Sequence, residues 1–275
     1  MGTLISATEL ADIESDAHPV VLDCRFSLAD PAAGRRQFEQ GHIPGAQYID
    51  LDRDLSSPVM PGKTGRHPLP DRETFAETLG RFGITADSMV ICYDEAAGPF
   101  AARCWWMLRW LGHPNAFVLD GGLKAWTESG QALTTEMSHR TPTLYVPSSP
   151  LTRVVSAEDL AEVSGSLLDA RDQARFDGEV DPIDPVAGHI PGALCATFTA
   201  NLHENSRMKP VAELRERFAA LGVTTNGDVT CYCGSGVTAA HNILALVHAG
   251  YPEPALYPGS WSEWITDPAR PVARG

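Results

Sequence analysis

No stretch of the chain holds the roughly 18 to 20 consecutive apolar residues that a membrane-spanning helix needs. The opening "MGTLISATELADIESD" lacks the basic flank and long apolar run of a secretory signal. Basic residues are also scarce: 21 Lys and Arg stand against 35 Asp and Glu, for a net charge of −14. The acidic excess is spread along the chain, and it argues against a polyanion such as DNA or RNA as partner. A small anionic ligand is not excluded, because one site can be locally positive. Cysteine is sparse as well, with six, at positions 24, 92, 104, 195, 231 and 233. Their spacing is not that of a small secreted scaffold, and 275 residues bury a core without covalent staples. The expectation is a cytoplasmic protein with reduced thiols, no membrane span and no nucleic-acid partner.

What is present is one pattern written twice. "GRRQFEQGHIPGAQYIDL" (34–51) returns as "PIDPVAGHIPGALCATF" (182–198), and "VLDCRF" (21–26) as "LLDARDQARF" (167–176). "VICYDEAAGPFAAR" (90–103) returns as "VTCYCGSGVTAAH" (229–241), and "VLDGGLKAW" (118–126) as "LYPGSWSEW" (256–264). The order is the same in both halves and the offset is roughly 140 residues, too long for a solenoid. Two domains of one fold are expected, at 1–138 and 151–275. A linker rich in Ser, Thr and Pro, residues 139–150, joins them.

Each half alternates short apolar runs with helical patterns. "PVVLD" and "MVICYD" read as buried strands. "DRETFAETLGRFG" reads as a helix with Asp71 as N-cap and Gly83 beyond its end. "FAARCWWMLRWLG" is apolar nearly all round, which predicts a buried helix. Such alternation predicts an α/β fold, each domain a mainly parallel sheet flanked by helices, with ligands at the carboxyl ends of strands. The "HIPGA" segments (42–46 and 189–193) read as structural turns, through the fixed φ of Pro and the permissive backbone of Gly.

The halves are not equivalent. Aligning "VICYD" with "VTCYC" puts Cys233 opposite Asp94, while Cys92 and Cys231 pair off as small core residues. One copy thus carries a thiol at the mouth of a loop and the other a carboxylate. The first half also carries an extra segment, "LSSPVMPGKTGRHPLPD" (55–71). It is rich in Pro and Gly, contains His67, and reads as a loop of the kind that bears binding groups.

Cysteine attacks as the thiolate, and a thiol of ordinary pKa near ~8.5 is only a few per cent ionised at pH 7. Full conversion needs about two pKa units, or roughly 2.7 kcal/mol. A helix dipole supplies about 0.3–1 kcal/mol at a surface site. The remainder must come from N–H groups aimed at sulfur. "GSGVT" after Cys233 fits this need. Its glycines let successive amides of Gly234, Ser235, Gly236, Val237 and Thr238 turn inward as an anion nest, and a helix beginning near Thr238 adds free N–H groups.

Other chemistries fit less well. A cysteine phosphatase has Arg after C-x5, and here Ala239 stands at that place. A zinc site from Cys231, Cys233 and His241 lacks a further close ligand. A redox pair is normally C-x-x-C, whereas Cys231 and Cys233 form C-x-C.

The duplicated pattern, both "GHIPGA" segments, "DGGLKAW", "PGSWSEW" and above all "CGSGVTAAH" resemble a two-domain rhodanese over nearly the whole chain. The loop is similar to that of mercaptopyruvate sulfurtransferases, and it lacks the basic residues more usual in thiosulfate enzymes. The resemblance implies a sulfurtransferase with an inactive first domain. In the second, Cys233 takes a sulfane sulfur as a persulfide and passes it to a thiophilic acceptor such as cyanide or a thiol. It implies a relay of Ser235, His67 and Asp52, and substrate binding by Arg175 with Gly234, Gly236, Val237 and Thr238. A small anionic sulfur donor is the implied substrate, with a thioredoxin-like reductant as a further candidate partner. The chemistry requires no metal or organic cofactor. Arg171 reads as a structural ion-pair partner. One departure stands out: Ile183 falls where mercaptopyruvate enzymes carry a second arginine, which leaves thiosulfate open as the donor. Losing such a partner is worth on the order of 1.5–3 kcal/mol; Arg66 or Lys63 is the candidate replacement. A sulfur-carrying module without catalysis is the remaining alternative.

Overall fold

The computed structural model describes residues 2–13, 18–162 and 165–275. Among the described residues two five-stranded sheets form, one in each half, and every strand pair in both is parallel. In the first half the strands are β1 (Leu4–Ile5), β2 (Val20–Asp23), β3 (Gln47–Tyr48), β4 (Val90–Tyr93) and β5 (Ala116–Leu119), in the order β1-β5-β4-β2-β3. In the second they are β6 (Arg153–Val154), β7 (Ser166–Asp169), β8 (Ala193–Cys195), β9 (Val229–Tyr232) and β10 (Ala255–Leu256), in the order β6-β10-β9-β7-β8. The two orders correspond strand for strand, and so does the register: Leu22 faces Cys92 and Asp23 faces Tyr93, as Leu168 faces Cys231 and Asp169 faces Tyr232.

Helices α1 (Ala7–Ala11), α2 (Ala33–Gln40), α3 (Arg72–Arg81), α4 (Pro99–Trp110) and α5 (Gly122–Glu128) belong to the first half. Helices α6 (Gln173–Asp177), α7 (Val211–Ala220), α8 (Thr238–His248) and α9 (Ser260–Trp264) belong to the second. The sequence expectation for α3 holds in position, with Asp71 at the N-cap and Gly83 at φ +70°, but the Asp71 side chain makes no capping hydrogen bond. The apolar stretch in α4 is buried as predicted, with Trp105 and Trp106 fully enclosed. Among the described residues no helix is long and apolar enough to cross a membrane.

By compactness the chain divides into two units that are interleaved in sequence. The first holds Met1–Ser57, Pro70–Leu151 and Glu204–Met208; the second holds Pro58–Leu69, Thr152–His203 and Lys209–Gly275. Residues 58–69 of the extra loop of the first half, including Arg66 and His67, therefore belong to the second unit.

The same buried framework is built in each unit. Arg25 grips Asp23 through Nε and Nη2 and donates to the Gly41 carbonyl; Arg171 grips Asp169 the same way and donates to Gly188. The Tyr93 hydroxyl donates to Asp23 at 2.5 Å and accepts from the Ile43 N–H, and Tyr232 accepts from the Ile190 N–H. His42 and His189 bond the Phe38 and Phe176 carbonyls through Nδ1 and stack on those rings. The "GHIPGA" turns are thus structural, each tying a helix end to the strand that follows. All six cysteines are free thiols; Cys24, Cys92 and Cys104 lie with their sulfurs within 4.8 Å of one another in the first core.

Candidate active site

In each unit the second and fourth strands of the pattern lie side by side, β2 with β4 and β7 with β9. The chain leaves them toward opposite edges of the sheet, from β7 to β8 and from β9 to β10. Loops diverge at such a point and open a crevice at the carboxyl edge. Cys233 is the first residue after β9, and α8 begins at Thr238, so five residues must turn a strand into a helix.

That turn aims amides at sulfur. The Gly236 N–H donates to Cys233 Sγ at 3.1 Å and the Ser235 N–H at 3.5 Å. Gly236 has φ +78°, and a Cβ there would lie 2.5 Å from the Pro258 carbonyl oxygen, so only glycine fits. Val237 stands at the N-cap of α8 and is buried. Cys233 is 2% exposed, among donors and not in hydrocarbon alone. Cys231, two residues earlier, is fully buried in β9, and burial pushes its thiol well above the usual range.

A second segment clamps the loop from behind. The Cys233 N–H donates to the Ser260 hydroxyl at 3.0 Å, the Trp261 N–H donates to the Cys233 carbonyl, and the Ser262 N–H to the Gly234 carbonyl. Ser260 is fully buried and adopts φ +55°. The motif "PGSWSEW" marked this stretch as part of the repeat, but its role as the clamp was not legible in the sequence.

The loop 58–69 delivers two further groups. His67 is buried, and its Nδ1 lies 2.8 Å from the Ser235 hydroxyl oxygen. Arg66 is tied by its backbone N–H to the Ser262 hydroxyl at 3.1 Å. A Cβ built on Gly234 would lie 2.8 Å from Arg66 Nη2 and 3.4 Å from Arg175 Nη2, so both guanidiniums flank the residue next to the thiol. Arg175 extends from α6, where Asp172 caps the helix by accepting from the Arg175 N–H. It pairs with Asp181 and Asp184, and Arg66 pairs with Asp184 as well. Arg171 pairs with Asp169 and Asp181, as its structural reading required.

Of the residues singled out in the sequence, Cys233, Ser235 and His67 come together, with Arg175 beside Gly234. Asp52 belongs to the first unit. It is exposed in the turn after β3, its N–H donates to Asp50 Oδ1, and partial burial with the nearby Asp50 charge raises its carboxyl above the usual range. Ile183 is exposed, as is Lys63, whereas Arg66 reaches the loop. Asp181 and Asp184 went unnoticed in the sequence; nothing local distinguishes them from solvated acids.

The first unit has the same loop with a different occupant. The Asp94 carboxylate accepts from the N–H groups of Gly98, Phe100 and Ala101, and burial raises it to about 6 against those donors. The amide cradle is there filled by the chain's own anion.

A family model for the rhodanese-like domain matches residues 6–129 and 155–267. A probable 3-mercaptopyruvate sulfurtransferase from Pseudomonas aeruginosa is 51% identical over 99% of this chain and 98% of its own length. A putative thiosulfate sulfurtransferase, SseB, from Mycobacterium tuberculosis is 40% identical over 99% and 97%. The crystal structure of SseA from Escherichia coli, a 3-mercaptopyruvate sulfurtransferase, superposes with a TM-score of 0.84 at 33% identity, covering 96% of this chain and all of that one. The chain belongs to the rhodanese family and carries two rhodanese-like domains in tandem.

Proposed function

We propose that this protein is a sulfurtransferase that moves a sulfane sulfur from 3-mercaptopyruvate to a thiophilic acceptor through a persulfide on Cys233. The observation that carries this reading is the Cys233 sulfur accepting two backbone N–H bonds beside the hydrogen-bonded pair His67 and Ser235. Hydrogen bonds to a charged group are each worth about 1.5–3 kcal/mol, so two aimed amides favour negative charge arriving on that sulfur during transfer.

The Cys233 thiolate attacks the donor sulfur. The new S–S bond forms as the C–S bond of mercaptopyruvate breaks, and the electron pair leaves on carbon as the enolate of pyruvate. Ser235, polarised by His67, supplies the proton that converts the enolate to pyruvate. Arg175 binds the donor carboxylate, and the amides of Gly234, Gly236, Val237 and Thr238 line the sulfur's side of the site. A nucleophile, cyanide or a thiol, then attacks the outer sulfur and releases the Cys233 thiolate. A cytoplasmic thiol, including a thioredoxin-like reductant, is the proposed acceptor.

Thiosulfate is the second donor to weigh, because Ile183 is exposed where the resemblance places a second arginine and several relatives bear the thiosulfate name. Pyruvate and thiocyanate are measured with each donor, with cyanide as acceptor, in wild type and Cys233→Ser. The expected result is pyruvate release from mercaptopyruvate, one added sulfur atom on Cys233 by mass spectrometry, and loss of both in the variant. Absence of sulfur transfer from both donors would leave the sulfur-carrying module as the better reading.

A further inference from the structure

Asp184 is 7% exposed, and it places one carboxylate oxygen on each of two guanidiniums: Oδ1 on Arg66 and Oδ2 on Arg175 at 2.9 Å. Both guanidiniums flank Gly234, the residue after Cys233. Arg175 also binds Asp181, through Nε and the same Nη2 that reaches Asp184; Asp181 is shared with Arg171, and Arg171 is held by Asp169. Arg66 is less fully engaged: its Nε is buried with no hydrogen-bond partner among the described residues.

The charges of this network therefore balance. Arg66, Arg171 and Arg175 face Asp169, Asp181 and Asp184, three against three. A thiolate on Cys233 adds a negative charge next door. The anion site has two cationic forks, and one internal carboxylate already joins them.

We propose that Asp184 is the specificity-determining residue of the anion site: by neutralising one of the two guanidiniums beside Gly234, it favours a singly charged carboxylate donor over a doubly charged one. The proposal rests on the sulfurtransferase reading above. With Asp184 in place, a donor carboxylate meets guanidiniums that are already part-neutralised, and a single negative charge is the lesser load on them. Thiosulfate brings a second negative charge to a network whose ion pairs, among the described residues, already balance. Burial raises the Asp184 carboxyl above its usual range, against the opposing pull of Arg66 and Arg175.

The test compares kcat/KM for thiosulfate and for mercaptopyruvate in wild type, Asp184→Asn and Arg66→Gln. Removing the acid is expected to raise the thiosulfate-to-mercaptopyruvate ratio by about tenfold, and removing the cation to lower it by a similar factor. Ratios that stay put, or that move together in both variants, overturn the proposal. Should Asp184→Asn not fold, Arg66→Gln decides alone: an unchanged or raised ratio overturns it. A binding arm in the Cys233→Ala background, with thiosulfate and pyruvate titrated by calorimetry, reads the same charge preference without turnover. If wild type moves no sulfur from either donor, the catalytic reading fails by itself, while the binding arm still judges Asp184.

Discussion

The Nδ1 atom of His67 lies 2.8 Å from the hydroxyl oxygen of Ser235, although 168 positions separate them in the chain. Ser235 is two residues past the thiol, so the imidazole is coupled to the sulfur loop through one hydroxyl. General acid–base groups contribute about 10²–10⁴-fold to a rate. Ser235→Ala and His67→Gln are each expected to lower pyruvate release by about 10²-fold. The double variant should lose little more than either alone, because the two act as one unit. Additive losses in steady-state kinetics would separate their roles.

Gly236 is the tightest point of the sulfur loop. An Ala there must hold φ near +78° and place a methyl against the Pro258 carbonyl. The conformational cost alone is about 1–2 kcal/mol, and relief of the clash moves the N–H now 3.1 Å from sulfur. Gly236→Ala is expected to cut activity by more than about 10²-fold, and denaturant unfolding should show a loss of at least about 1 kcal/mol.

Cys231 is fully buried in β9, whereas Cys233 stands in the amide loop as the proposed nucleophile. Cys231→Ala is expected to retain sulfur transfer with a modest loss of stability, about 1 kcal/mol for a small buried side chain. A redox mechanism using both thiols requires the opposite, so the activity of this one variant separates the two.

The buried Arg171–Asp169 pair and the exposed Arg35–Glu39 pair have similar separations, 2.6 and 3.0 Å, in different surroundings. Arg171→Ala leaves a fully buried carboxylate uncompensated, and about 3–5 kcal/mol should be lost. Arg35→Ala should cost under about 1 kcal/mol. Chemical denaturation of the two variants checks the contrast.

Asp94 gives the first unit a pH signature. Burial raises its folded carboxyl to about 6, from an ordinary value near 3.8. Between those values the folded state binds more protons than the unfolded one, so this group's contribution to stability falls as pH rises from about 4 to about 6. Relative to Asp94→Ser, wild type should show the steeper decline across that window in denaturant unfolding. A flat difference would place the Asp94 titration elsewhere.

Much of this was legible in one dimension. Alternation of apolar runs and turn residues depends on neighbours only, so it marked the strands, the buried helix α4 and the duplicated order of elements. The same local chemistry marked the two halves as different: two glycines after Cys233 admit an inward-facing amide turn, and the Asp94 copy fills its own turn with a carboxylate. The "GHIPGA" turns read correctly as structure because Pro and Gly act on the backbone where they stand.

What the linear pattern left undecided was which distant segments meet. Loop 58–69 precedes α3 in sequence yet packs with the second unit, bringing Arg66 to Asp184 across 118 positions and to Ser262 across 196. The Ser260 clamp and the shared carboxylate of Asp184 have no local signature, since an acid or a serine looks the same in sequence whether it is solvated or enclosed. Chain periodicity dictated the elements, and the glycines after Cys233 the loop around it; folding alone decided the charge and partners there, because ion pairs and hydrogen bonds form by proximity in space.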